Sequence, residues 1–146
     1  MNKNDASNKV SLLEINNLKT HFPIRSKITS RVKGYVYAVD GVSIRISEGE
    51  TLGLVGESGS GKSTLGKSIL RLVKPTSGEI KIHGTDISKF SKSEMFPFRR
   101  DVQIVFQDPY SSLNPRIPVG KIVAENMKVH GIASGVEAED KVRLLF

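Results

Sequence analysis

The chain has 146 residues, 38% of them hydrophobic, which is enough for one compact domain with an apolar core. No run approaches the roughly 18 apolar residues of a membrane span, the start MNKNDASNK leads into no signal-peptide core, and the lack of cysteine excludes disulfides and thiolate metal sites. A cytoplasmic chain is expected, and its formal charge of +7 is spread along the sequence without any nucleic-acid-binding signature, so nucleic acid is not an expected partner.

Residues 1–9 are polar and read as a flexible tail. Val10, Leu12, Leu13 and Ile15 then pattern a first strand over 10–18, while 25–33 is basic, aperiodic and reads as a loop insertion. Val42, Ile44 and Ile46 alternate with Ser43, Arg45 and Ser47, the period of a half-buried strand. After a turn at Glu48, Gly49 and Glu50, the nearly uncharged run 51–55 has the composition of a strand buried on both faces of a sheet. Leu65, Ile69, Leu72 and Val73 follow at helical spacing until Pro75.

Ile80 and Ile82 predict a short strand or hairpin arm that turns at His83, Gly84, Thr85 and Asp86. Ser91 and Glu94 fit a capping box that opens a helix, which Pro97 interrupts early. Val102, Ile104 and Phe106 share one face of a further expected strand. The turn formers from Tyr110 to Pro115 predict an exposed loop. Val119, Ile122, Val123 and Met127 predict a helix ending near Gly131, and a last segment from Glu137 carries Val142, Leu145 and Phe146 as apolar candidates.

Between the expected strand 51–55 and the expected helix lies Gly56-Glu57-Ser58-Gly59-Ser60-Gly61-Lys62-Ser63, a complete G-x-x-x-x-G-K-[S/T] phosphate-binding loop. Gly56, Gly59 and Gly61 let successive backbone N–H groups converge on one concavity. The helix that starts there points its positive end at the same anion. Lys62 reaches the β- and γ-phosphates of a nucleotide, Ser63 offers a hydroxyl to magnesium, and Thr64 adds a further donor. The expected cofactors are ATP and Mg2+. A glycine-serine linker shares the composition but does not run on into an amphipathic helix.

This loop, with EGETLGLV at 48–55 before it, resembles the nucleotide-binding subunit of ABC transporters. VFQDPYSSLNPR at 105–116, NLKTHFPI at 17–24 and YAVDGVS at 37–43 narrow the resemblance to the oligopeptide and dipeptide import ATPases, and the insertion between Ile24 and Tyr37 to their F-type subunit. The fold implied is α/β: a P-loop NTPase core with an antiparallel β-subdomain over 10–109, and over 110–146 the start of a helical subdomain within which the chain is cut. The resemblance assigns Gln107 to the Q-loop, beside magnesium and the attacking water, and Phe22 to the aromatic that stacks on adenine, with Tyr35 and Tyr37 as rivals. The stretch from Asp108 to Arg116 corresponds to the surface that meets the membrane subunits.

A second ATP-binding subunit and a peripheral place on the inner face of the cell membrane are implied as well. The family also uses a Leu-Ser-Gly-Gly-Gln-like signature, a later strand ending in Asp-Glu and a switch histidine, and none of these occurs in the sequence. The expectation is therefore an amino-terminal part of a longer ATPase that does not hydrolyse ATP alone. The alternatives are a small P-loop kinase or GTPase, or a non-catalytic nucleotide-binding protein. A GTPase's Asn-Lys-x-Asp guanine motif is echoed only superficially, at Asn2-Lys3-Asn4-Asp5 in the polar tail.

Overall fold

The computed structural model describes residues 11–27, 29–108 and 113–146; the expected tail at 1–9 and Tyr110 lie outside the described residues. The chain separates into two compact units that divide between Val102 and Gln103.

The first unit is built on an antiparallel sheet in the order β2-β1-β3-β4, with β1 Ser11–Arg25, β2 Val32–Ser47, β3 Ser77–Ile82 and β4 Thr85–Asp86. β1 lies at the centre and pairs with β2 on one edge and with β3 on the other. Ile15 opposes both Ile44 and Ile80, so apolar side chains stack across three strands on one face. Ile15, Leu18, Val39, Ile80, Ile82 and Ile87 are buried there, together with Leu65 and Met95 from the helices. The β3–β4 hairpin turns at His83 and Gly84, both with positive φ (48° and 78°), the twist that a two-residue hairpin requires.

The segment expected as a loop insertion proves to be the end of a long hairpin. β1 continues to Arg25, which faces Val32 at the start of β2. Phe22, Ile24, Val32, Tyr35, Val36 and Tyr37 are all exposed, so apolar side chains lie on both faces of these arms and the in–out alternation that marks a half-buried strand is lost. Two further expectations are corrected. Residues 51–55 and 103–106 are not strands, and Val55 and Val105 are 92% and 89% exposed. A strand exists through its ladder, and neither apolar run forms one among the described residues.

Helix α1, Lys62–Ile69, packs Leu65 into the core. It ends six residues before Pro75, earlier than the apolar spacing suggests. Arg71 takes a left-handed conformation (φ 54°), its N–H donates to the Ser68 carbonyl (3.0 Å), and the Leu72 N–H donates to the Lys67 carbonyl (2.9 Å). This is the 6→1 and 5→2 pattern of a Schellman stop, with arginine where glycine is usual. Ser91 and Glu94 form the expected capping box at α2, Lys92–Met95, and Pro97 opens a 3-10 turn, Pro97–Arg100.

A buried hydroxyl pair holds α1 against the sheet. Ser68 Oγ donates to the Thr64 carbonyl (2.8 Å), which leaves Thr20 Oγ1 of β1 as the donor to Ser68 Oγ (2.9 Å). Removing Ser68 strands the buried Thr20 hydroxyl, whereas Thr20→Val removes only one bond. Ser68→Ala is therefore expected to cost about 2 kcal/mol and Thr20→Val about 1 kcal/mol in urea unfolding. Equal, additive losses would mean that the two hydroxyls are not coupled.

The second unit contains α3, Val119–Val129, and α4, Gly135–Arg143. α3 ends at His130 with Gly131 at φ 63°, as expected near that glycine. Val142 and Ala138 of α4 are buried, and Gly120 of α3 gives Val142 its close approach. Leu145 and Phe146, apolar candidates of the last segment, are exposed. No helix of the described residues is long and apolar enough to cross a membrane.

Candidate functional site

The glycine loop sits between the extended run 51–55 and α1. Gly61 is the N-cap of α1 at φ 92°, and a Cβ placed there would overlap the Ala38 carbonyl oxygen of β2. Glycine is required twice over at this point, by conformation and by contact with the backbone of a neighbouring strand. Gly59 is also left-handed, at φ 84°, but a Cβ there would meet open space. The close seat of Gly61 on β2 fixes the start of α1 relative to the sheet.

The first helical N–H with a helical acceptor is that of Leu65, which donates to the Gly61 carbonyl (2.8 Å). Gly61 has no side chain to cap the helix, and no acidic residue lies in the first turn. The N–H groups of Lys62, Ser63 and Thr64 are therefore free of backbone acceptors among the described residues, and they point the helix's positive end outward. Ser63 is exposed and Thr64 half-buried beside them.

Lys62 folds back over the loop. Its Nζ donates to the carbonyls of Gly56 (2.7 Å) and Glu57 (2.6 Å) and to Ser60 Oγ (3.1 Å). The ammonium group is thus held at the loop's mouth by its three donor hydrogens, all directed to loop oxygens. A phosphate oxygen arriving here exchanges neutral acceptors for a charged one, the stronger partner.

A cavity of about 370 Å³ opens beside the loop, a size at which small-molecule sites are found. Gly56, Ser60, Gly61 and Lys62 line one part, and Tyr37, Val39 and Asp40 of β2 another, with Leu54 and Val55 between. Its composition thus joins an anion-binding loop to an aromatic wall. Tyr37 packs edge-on to His21 of β1, with ring centroids 4.5 Å apart. His21 Nε2 is 3.1 Å from Asp40 Oδ1, and Lys19 Nζ is 3.3 Å from the same oxygen. The hydrogen bonds from His21 and Lys19 hold the Asp40 carboxyl below its ordinary range, so Asp40 is an anion at neutral pH.

Phe22, the aromatic assigned by resemblance, lies opposite Val36 in the β1–β2 ladder and is not among the residues that line this cavity. Tyr37, its rival, is. Asp40 and the Ala38 carbonyl fall within the run 37–43, but no residue spacing marks either of them as part of this site. The regular alternation around Tyr37 is masked by exposed apolar residues. Gln107 belongs to the second unit and is exposed. In the segment from Asp108 to Arg116, residues 109–112 lie outside the described residues, Leu113 is exposed, and the Arg116 N–H donates to Asn114 Oδ1 (3.0 Å) in a local turn.

Comparison with known proteins places this site in a family. Residues 39–145 match the ABC transporter family profile. The chain is 46% identical to the oligopeptide transport ATP-binding protein AppF of Bacillus subtilis over 96% of its own length and 43% of that protein. It is 49% identical to the putative oligopeptide transport ATP-binding protein YkfD of the same species, over 85% of this chain and 36% of that one. The glutathione import ATP-binding protein GsiA of Escherichia coli O157:H7 is 48% identical over 92% of this chain and 22% of GsiA. The chain thus spans less than half the length of these relatives.

Among solved structures, a dimeric post-hydrolysis state of the ATP-binding cassette MJ0796 bound to ADP and Pi superposes with a TM-score of 0.74 at 28% identity, over 90% of this chain and 54% of that one. The family-profile match at 39–145 takes in the whole glycine loop and α1 and begins after Tyr37. With its P-loop, its antiparallel β-subdomain and these matches, the chain belongs to the ABC transporter family.

Proposed function

We propose that this chain is the ATP-binding part of a subunit that couples ATP binding and hydrolysis to peptide import through a membrane transporter. The observation that carries the reading is the P-loop itself: Lys62 Nζ held at the mouth of a glycine loop whose helix presents unpaired N–H groups, beside a cavity with an aromatic wall. The oligopeptide and glutathione import relatives support the choice of cargo class.

In this reading Gly56, Glu57, Ser58, Gly59, Ser60, Gly61, Lys62, Ser63 and Thr64 bind the phosphates. Ser63 ligates the magnesium that accompanies them, since its exposed hydroxyl lies in the first turn of α1. Gln107 orients the attacking water and senses the γ-phosphate. Phosphate release that survives Gln107→Ala removes it from this role. Full hydrolysis needs a group to orient the nucleophile and a second ATP-binding subunit to close the site. The surface from Asp108 to Arg116 meets the membrane subunits, which seats the protein on the inner face of the membrane.

The test is equilibrium binding of ATP with and without magnesium. Magnesium is expected to tighten binding to the unmodified chain, and Ser63→Ala is expected to abolish that increment while leaving magnesium-free binding within about threefold. An unchanged magnesium dependence in Ser63→Ala would remove Ser63 from the metal site. The same assay on Tyr37→Ala and Phe22→Ala decides which ring carries the base. Loss of a stacked ring costs about 1–3 kcal/mol, so the affected variant weakens binding roughly 5- to 150-fold. The cavity lining favours Tyr37.

A further inference from the structure

A second cavity of about 420 Å³ lies elsewhere in the first unit, between the end of α1 and the start of α2. Five cationic side chains line it, Arg71, Lys74, Lys89, Lys92 and Arg99, and no acidic residue does. None of the five forms a salt bridge among the described residues. Two acids near it in sequence, Glu94 and Asp86, are committed to other groups. Glu94 Oε2 accepts from the Ser91 N–H (2.7 Å), and Asp86 Oδ1 accepts from the hydroxyl and N–H of Ser88, although Lys89 contributes to its field.

Arg71 adds an independent observation. Its Nη2 donates to the Phe90 carbonyl (2.9 Å), but its Nε and Nη1 are buried without any acceptor, the only such side-chain atoms among the described residues. An unpaired donor on a buried guanidinium is costly, and five like charges around one cavity repel each other. Both penalties are relieved by a single ligand with several anionic oxygens. A guanidinium takes such oxygens in pairs, and the lysine ammoniums complete the neutralisation as point charges.

From this arrangement we infer a second anion site, distinct from the glycine loop, that binds a phosphate monoester. The volume accommodates a phosphate together with the group esterified to it. The phosphate reaches the site either in solution or as a lipid headgroup, and the two sources share the same recognition chemistry. The placement of Arg71 depends on the left-handed stop of α1, which turns its side chain toward Phe90 rather than along the helix. Occupation of the site would therefore tie the end of α1 to the segment that leads into α2.

The test uses the 146-residue chain carrying Lys62→Ala, so that the glycine loop does not report. Inorganic phosphate is titrated and backbone amide shifts are followed by NMR. Saturable shifts are expected at Leu72, Lys89, Ser91 and Lys92, and Lys89→Ala/Lys92→Ala is expected to weaken binding at least about tenfold. The lysine pair is the primary variant because Lys89 reaches the cavity from the loop before α2 and Lys92 from the first residue of α2. Arg71→Met is a second variant, read only if its unfolding midpoint matches that of the parent.

A parallel arm sediments the chain with phosphatidylcholine vesicles, with and without phosphatidic acid. Phosphate binding without vesicle retention assigns the soluble source. Retention that requires phosphatidic acid, is lost in the lysine double variant and is competed by inorganic phosphate assigns the headgroup. The inference is overturned if the pocket amides do not move, if the double variant binds as the parent does, or if a polyglutamate peptide moves them while phosphate does not.

Discussion

Gly61→Ala is expected to destabilise the first unit by at least about 3 kcal/mol and to abolish ATP binding with it. Two costs add. A non-glycine residue held at φ 92° costs about 1–2 kcal/mol. The added Cβ also overlaps the Ala38 carbonyl oxygen, and since the backbone fixes the position of a Cβ and the partner is itself backbone, no rotamer change relieves the contact. Either α1 moves away from β2 or the loop changes shape, and both outcomes dissolve the convergence of N–H groups. Gly59→Ala is the matched control: it has similar handedness and an open surrounding, so only the conformational cost applies.

A second control separates stability from binding. Gly78 of β3 is also left-handed, at φ 96°, and a Cβ there would run into the backbone of Asn17 and Leu18 in β1. Gly78→Ala should therefore lose stability to a similar degree through the β1–β3 seam, far from the loop in sequence. Chemical unfolding ranks the three variants, and ATP binding is measured below each unfolding midpoint. If Gly61→Ala unfolds with the parent, the seat of the loop on β2 is not what fixes the site.

The loop was legible because its information is local. Glycine at 56, 59 and 61 followed by Lys62 and Ser63 specifies a backbone shape and a charge within eight residues, and the structure shows the helix start and the inward lysine that such a shape requires. The β3–β4 turn and the capping box at Ser91 were legible for the same reason. Strands are less legible, because their partners lie far away in sequence. The run 51–55 carries the apolar composition of a central strand, yet a strand also depends on the ladder it forms, and Leu54 and Val55 instead line the cavity beside the glycine loop. The long β1–β2 hairpin was missed for the opposite reason: it has its ladder, but no consistently buried face to imprint a period of two.

Long-range features left no trace in the sequence pattern. Thr20 and Ser68 meet across 48 residues, and Arg71 meets the Phe90 carbonyl across 19. Arg71 in particular reads as one more surface cation in a basic chain. Only the structure shows two of its nitrogens buried without acceptors and four further cations around the same cavity.

Lys62→Ala is expected to weaken ATP binding by about 2 kcal/mol, roughly 30-fold, with little change in stability. The lysine is the only side chain of the loop that brings a full positive charge to its mouth, and a hydrogen bond from a charged donor to phosphate is worth about 1.5–3 kcal/mol. Its present partners are two loop carbonyls and the Ser60 hydroxyl at an exposed position, so their loss leaves acceptors that water satisfies. Isothermal calorimetry of both forms with ATP, paired with urea unfolding, tests both halves of the expectation. Equal affinities would remove the ammonium from phosphate binding and leave the helix N–H groups to account for it. A large loss of stability would instead make Lys62 a clamp on the loop's shape, with Gly56, Glu57 and Ser60 as the groups it holds.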